Sequence, residues 1–520
     1  MSETSLQSRA KSYAEPWIVV LALAAILGLN LQLWAHDTPP LVDWPNHLAR
    51  HILQCAAVGA SEIGRYYAYA LELVPNLASE LIHTLPLACA DPGLTQKVLI
   101  QVSSVGVVLG TLLLHRAIWG RFSVWPLISA LIMHHMAWAY GFENFVLAIP
   151  AALIVLAAWF ALAGRRTALR LIALWPAILV LYLLHLYAFG FLLLTIGLLE
   201  LERLRRLRDA RETLLTGLLL LGLAAIPAWH TMSALAASPE IETTLFAYGG
   251  LPELLMTVLS PFAGFGNIIW SRTALIAAAL CLAAFLAIIA GLKQTGHAIR
   301  IDPRIRAIAP FLITIALVAP YNFSGVYFSN IRFPVLVVAT LIAATRIDLQ
   351  HRASLSFAMA IIAALAVKTF WLSHQWRAHE SEVREVREAT SGLSPSDRLL
   401  VARADMAHTI ILHSHSASYI LRDQGTYWTG MFTGGNSLSP LPDYAARDHT
   451  QPFPLDWRVL RPQHTGLSLF DDGSYLHDWR SFYTHVLILF DPEKERPDAS
   501  ILGAPIARGS FFDLHQLSAE

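Results

Sequence analysis

Residues 17–35, WIVVLALAAILGLNLQLWA, decide the class of fold. The run carries no charge, and a helix of roughly 20 apolar residues is what it takes to cross a hydrocarbon layer. It is too long, and wrongly flanked, for a cleaved signal peptide, so it reads as an anchor. Comparable runs follow at about 97–114, 123–140, 145–163, 170–184, 188–201, 212–232, 273–292, 307–320, 333–346 and 354–373. The stretch 170–201 is too long for one span and short for two, and it is divided at His185–Gly190. The reading is an α-helical membrane protein with about eleven spans.

Composition agrees. The chain has 520 residues, 55% hydrophobic and only 14% charged, against about 25% charged in a soluble domain. Lys+Arg and Asp+Glu balance at 37 each. Those values exclude a disordered chain, a basic nucleic-acid binder and a disulfide-dense secreted module.

Basic residues mark the cytoplasmic loops of membrane proteins. With the N-terminus inside, Arg116/Arg121, Arg165/Arg166/Arg170, Arg203 to Arg211, Lys293 to Arg306 and Arg346/Arg352 all fall on inner loops. Beyond residue 374 the chain turns acidic, with 13 Lys+Arg against 19 Asp+Glu. Residues 374–390 read as a polar helix leaving the membrane. Residues 395–520 read as a small C-terminal periplasmic α/β domain, with β-rich runs at Arg398–Arg403, His485–Phe490 and Phe511–Leu517.

The first outer loop, about 36–96, carries the chemistry. It contains Asp43-Trp44-Pro45-Asn46-His47-Leu48-Ala49-Arg50-His51. Asp43 followed by Pro45 is a helix start. On that helix Asp43, His47, Arg50, His51 and Gln54 share one face, and Leu48, Ile52 and Cys55 share the other. An amphipathic helix of this kind is expected to lie flat on the outer membrane surface. A carboxylate at the lipid–water boundary, beside two histidines and an arginine, is placed for general-base work and phosphate binding.

Topology and motif together resemble the glycosyltransferase C (GT-C) superfamily of polyprenyl-phosphate-sugar-dependent membrane enzymes. Their hallmark is an acidic residue early in the first outer loop, here Asp43, followed by a surface helix. The segment Asp43–Arg50 also resembles bacterial membrane proteins with an Asp-x-Pro-Asn-His-Leu-Ala-Arg motif. Many superfamily members have an adjacent acidic pair, whereas Trp44 stands beside Asp43 here. The resemblance implies an inverting transfer, with Asp43 as the base. The donor would be a polyprenyl-phosphate-linked sugar and the acceptor a glycan, lipid or protein on the periplasmic side of a bacterial inner membrane. A cation must then meet the leaving phosphate, and Arg332, at the outer end of a span and just after Tyr327, is the first candidate. His47, Arg50 and His51 are expected to help bind substrate. No cofactor is assigned, with a divalent metal ion left open.

Other residues are weighed beside these. Glu143, in the short outer turn Tyr140–Asn144, is either a second carboxylate facing the cavity or, as favoured, a solvated turn acid. His134 and His135 are read as hydrogen-bonded core histidines, and His185 as lining the cavity or bonding between helices. Glu240 and Glu242 lie in an outer loop that continues into the broken apolar piece 251–265, which is either re-entrant or on the surface. His408, His413 and His415 invite a zinc reading, with His413 and His415 on one strand face, but their spacing fits no trusted zinc pattern. Tyr427, Trp428, Trp457 and Trp479 are read as domain packing. Cys55 and Cys89 share the first outer loop, where two small buried residues are favoured over a disulfide. No phosphate loop, dinucleotide fingerprint or serine-hydrolase motif occurs.

Two other functions compete. One is a non-catalytic GT-C-like subunit of a polysaccharide assembly complex. The other is a lipid-linked-substrate transporter, which would show a repeat and polar residues at mid-membrane. The orientation yields a direct test. A reporter enzyme fused after residue 380 should be active only on the outer side, and cytoplasmic activity contradicts the topology.

Overall fold

The computed structural model describes residues 3–57, 65–71, 73–207, 210–237, 246–264, 272–323, 326–433, 438–447, 454–461, 476 and 478–518. Glu240, Glu242 and Phe265 lie outside them, as does the side chain of His408. The main helices are α1 (Glu3–Leu31), α2 (Trp44–Ala57), α3 (Pro92–Trp119), α4 (Glu143–Ala161), α5 (Thr167–Leu184), α6 (Leu186–Leu207), α7 (Ala210–Ala237), α8 (Arg272–Gln294), α9 (Pro303–Val318), α10 (Arg332–Ala344) and α11 (His351–Ala389). By length and composition, seven helices among the described residues can cross a membrane: Pro16–Ala35, Pro92–Trp119, Glu143–Ala161, Thr167–Leu184, Ala210–His230, Thr273–Gln294 and His351–Ala389. The expected spans at 188–201, 307–320 and 333–346 fall in α6, α9 and α10, which are not among those seven. The chain does divide at His185, whose extended backbone separates α5 from α6.

One expected span is not a helix. Residues 123–140 form a 3-10 segment, Trp125–Ile132, and a short helix, Met136–Ala139. Pro126 stands at the start of the first piece, and His135 caps the second by accepting from the Trp138 amide. Met136 N donates to Ser260 O at 2.8 Å. That bond ties the broken segment to the end of the Leu251–Leu259 helix. Non-helical backbone is tolerated at membrane depth when it is buried in protein, and Trp125, Leu127, Ile128 and Trp138 are all buried.

The tightest helix pair is α3 with α4. A methyl group on Gly106 would meet Pro150 Cβ at 2.8 Å, and one on Gly110 would meet Leu153 Cβ at 2.9 Å. Small residues four apart let two membrane helices close on each other.

Helix α11 is one continuous 39-residue rod. Its apolar first half packs on α1, and its polar second half leads to a six-stranded mixed sheet. The strands are β1 (Arg398–Arg403), β2 (Tyr427–Trp428), β3 (Leu455–Asp456), β4 (His485–Leu489), β5 (Pro505–Arg508) and β6 (Phe512–Gln516). Their order is β3-β1-β4-β6-β5, with β2 on β1. Strand β4 runs parallel to β1, His485 opposite Leu399, and antiparallel to β6, His485 opposite Gln516. All of β4 is buried, as a central strand requires. The three expected β-rich runs are thus strands. Tyr427, Trp428 and Trp457 are buried in the core of the sheet.

Helix α2 departs from expectation. It is not an exposed surface helix, because protein covers it on both sides. Trp44 and Leu48 belong to the membrane-helix core, while Ala49 and Leu53 belong to the core of the sheet. Cys55, at its far end, is disulfide-bonded to Cys89 with a Cα–Cα distance of 5.4 Å. The favoured reading of two unlinked residues was wrong. The chain folds back through the helix Pro86–Ala90 and brings Cys89 beside α2.

Replacing Gly106 by leucine should separate α3 from α4, at a cost of at least about 1–3 kcal/mol. The measurement is the thermal midpoint in detergent. A variant as stable as the parent protein contradicts the close-packed interface.

Candidate functional site

The backbone at Asp43 is held by a neighbouring turn. Asp43 N donates to Tyr140 O at 2.9 Å, and Val42 N donates to Ala139 O at 3.4 Å. The turn reverses at Gly141, whose φ is +76°. A Cβ there would be left-handed and would press on Trp44 N at 3.2 Å and Asp43 N at 3.3 Å. Glycine alone meets both demands. The same turn opens α4 at Glu143, so one glycine places both carboxylates.

Asn46 fixes the other side. Its side-chain NH2 donates to Gly430 O at 2.7 Å, and its oxygen accepts from Phe432 N at 2.9 Å. The segment after β2 is thereby pinned onto the first turn of α2. His415 comes with it. Its Nδ1 faces the Asn46 NH2 at 3.3 Å, and its Nε2 approaches Asp43 Oδ1 at 3.6 Å. With Nδ1 accepting from Asn46, the proton sits on Nε2, aimed at the carboxylate.

These elements enclose an open cavity of about 330 Å³, lined by Asp43, His47, Arg50, Glu143, Tyr327, Arg332 and His415 among others. Six of the seven residues singled out from the sequence therefore face one space. His51, the seventh, lies behind it. His51 Nε2 meets Glu143 Oε2 at 3.1 Å and its ring stacks on His83 at 3.8 Å.

The charges in this space differ in their freedom. Glu143 is 2% exposed and is not the solvated turn acid favoured from the sequence. Besides His51 it meets His47 Nδ1 at 3.7 Å and Gln96 Nε2 at 3.5 Å. A buried carboxylate must be paired, and Glu143 is. Arg50 is ion-paired with Glu80, which in turn accepts from Asn144 Nδ2 at 3.2 Å and Ser79 Oγ at 3.1 Å. Arg332 forms no ion pair among the described residues. Its guanidinium lies over the rings of Phe142 at 4.6 Å and Tyr187 at 4.9 Å, and its Nε has no hydrogen-bond partner. Cation–π contact holds the planar fork and leaves its donors available.

Asp43 is the carboxylate without a firm partner. Burial raises its pKa from 3.8 to about 7, with Arg332 opposing the rise. Burial also lowers His415 and His47 to about 3, so both imidazoles are neutral. A base poised near neutrality, a neutral histidine aimed at it and an uncommitted arginine form a set suited to taking a proton from a hydroxyl beside an anionic leaving group.

The sequence reading missed Glu80, His83, Asn144 and the role of His415. His415 lies some 370 positions along the chain from Asp43 and carries no local signal. His413 and His415 do not share a strand face. His413 ends the helix His408–His413 and turns away from the cavity. His134 Nε2 donates to Asn30 Oδ1 at 2.8 Å, as a core histidine. His185 lines the cavity. His47, His51 and Glu143 bring ligand atoms within 4.8 Å of one another, a set that fits a divalent cation.

No family model and no curated protein sequence matches the chain. Solved structures do. The crystal structure of ArnT from Cupriavidus metallidurans bound to undecaprenyl phosphate is 13% identical. It matches 96% of this chain and 98% of its own at a TM-score of 0.50. The apo form of the same protein gives 0.52 over the same coverage. The cryo-EM structure of arabinofuranosyltransferase AftD from Mycobacteria is 15% identical, with a TM-score of 0.47 over 97% of this chain and 40% of its own. The chain therefore shares the fold of ArnT over nearly its whole length.

The raised Asp43 pKa has a stability consequence. The folded state holds the proton more tightly than the unfolded chain, so burial of Asp43 destabilises progressively as pH rises from about 3.8 to about 7 and then stays constant. Asp43→Asn should raise the thermal midpoint most at pH 8, with the gain shrinking toward pH 4. An equal effect at both pH values contradicts the shift.

Proposed function

We propose that the chain is a bacterial inner-membrane glycosyltransferase. It moves a sugar from a polyprenyl phosphate onto a hydroxyl of a glycan, lipid or protein at the periplasmic face, with inversion. One observation carries this reading. Asp43, with its pKa near 7, and Arg332, free of any ion pair among the described residues, line the same cavity. The fold shared with ArnT, a protein crystallised with undecaprenyl phosphate, supports it.

In this reading Asp43 takes the proton of the acceptor hydroxyl. The oxygen bonds to the anomeric carbon, and the bond from that carbon to the phosphate oxygen breaks. The electron pair leaves with the polyprenyl phosphate, whose charge the Arg332 guanidinium meets. His415 Nε2–H orients the Asp43 carboxylate. Glu143 is held by His51 and acts as the fixed negative charge beside His47, while Glu80 holds Arg50. Tyr327 lines the same cavity.

The test is sugar transfer by the purified chain from a radiolabelled polyprenyl-phosphate donor. Asp43→Asn should lower turnover by about 10²–10⁴-fold, the usual contribution of a general base. Full activity in that variant removes Asp43 from the role. Binding without turnover by the unmodified protein favours a non-catalytic subunit. Activity should fall tenfold per unit below pH 7, because only the ionised Asp43 accepts a proton. Arg332→Ala should cost about 10²-fold in kcat/KM. Arg332→Lys should recover little, since an ammonium neither forks nor stacks as a guanidinium does.

A further inference from the structure

A second cluster of ligand-type side chains lies away from the cavity, where the rod α11 meets the sheet. His379 and Glu382 stand one turn apart on α11, and His413 ends the helix His408–His413. Their ligand atoms all lie within 4.8 Å of one another. The two imidazoles are buried, 2% and 1% exposed, and stack at 4.8 Å. Glu382 Oε2 is 3.0 Å from His413 Nε2 and 3.8 Å from His379 Nδ1.

We infer that His379, Glu382 and His413 bind a zinc ion that staples α11 to the segment carrying His415. Three observations converge on it. Bonds of about 2.0–2.1 Å in tetrahedral geometry set neighbouring ligands about 3.3 Å apart, and the separations of 3.0 and 3.8 Å bracket that value. His379 Nδ1 is buried and has no hydrogen-bond partner, an arrangement that is costly unless something fills it. His413 Nδ1 is 2.9 Å from Ser416 Oγ. A hydrogen bond on the far nitrogen is what fixes the tautomer and ring of a metal-bound histidine.

The donor set selects the ion. Two imidazoles and one carboxylate are a zinc set, with one position left for water. Calcium and magnesium take oxygen ligands instead. A ligand pair three residues apart on one helix, completed by a side chain from another element, is also how helical proteins build such sites. The site joins parts of the chain far apart in sequence. His413 lies two residues before His415, which reaches Asp43, so the zinc would hold the strand-side wall of the cavity at a fixed distance from the membrane helices.

The experiment uses the full chain in detergent, stripped with a chelator and titrated with zinc and, for its spectrum, cobalt(II). The stripped protein should take up zinc, gain thermal stability and, with cobalt, show the absorption of a low-symmetry nitrogen–oxygen site. His379→Gln and His413→Gln should weaken uptake by more than the about 10–100-fold that even an outer-shell change produces. His51→Gln, which breaks the other candidate cluster, should leave the cobalt spectrum and the zinc-dependent stabilisation intact. Glu382→Gln keeps the shape and a hydrogen bond to His413. It serves as the test if either histidine variant elutes as an aggregate. The inference is overturned if the stripped protein takes up no zinc, or if uptake survives the histidine and Glu382 variants and disappears in His51→Gln.

Discussion

Helix α2 is polar on one face, and that face is buried. Membrane helices cover one side and the sheet covers the other, so its buried polar groups need partners within the protein. Asn46 is matched to Gly430 and Phe432, Arg50 to Glu80, His51 to Glu143, and Gln54 Nε2 to Glu80 O. These partners come from the first outer loop, from the start of α4 and from the segment beyond β2. Satisfying one short helix therefore fixes how the membrane helices and the sheet meet. The disulfide Cys55–Cys89 ties off its far end.

Within that frame, Asp43 and Arg332 are the exceptions. Nearly every other charge around the cavity is paired, and these two are left facing open space. Buried charges without partners destabilise a fold, and they recur where function requires them. Gly141 serves the same end. Its left-handed turn brings backbone close enough to hold Asp43 by its amide, and the carboxylate stays available.

Some of this was legible in the sequence. The helical class followed from apolar runs, and the three main strands followed from short β-rich runs after a shift in charge. Asp43, Arg50, Glu143 and Arg332 were singled out because charged residues are scarce in such a chain, and His47 and Tyr327 because they stand beside them; all six line one cavity. What failed was tertiary. Periodicity marked α2 as amphipathic, but it does not say whether a polar face meets water or other polar groups. The run 123–140 is apolar enough to span, yet Pro126 and the capping side chain of His135 break it. Glu143 sits in a turn, where acids are normally solvated, and only the fold reveals His51 behind it. His415 and Glu80 reach the site across long sequence separations that leave no local pattern.

In the proposed reaction Asp43 and Arg332 face a single polyprenyl-phosphate site. The most direct measurement is a structure of the full chain determined with undecaprenyl phosphate. The phosphate should lie within hydrogen-bond distance of the Arg332 guanidinium, with the Asp43 carboxylate facing the position the sugar would occupy. A phosphate bound elsewhere, with Arg332 still stacked on Phe142 and Tyr187 and touching no ligand, would contradict it.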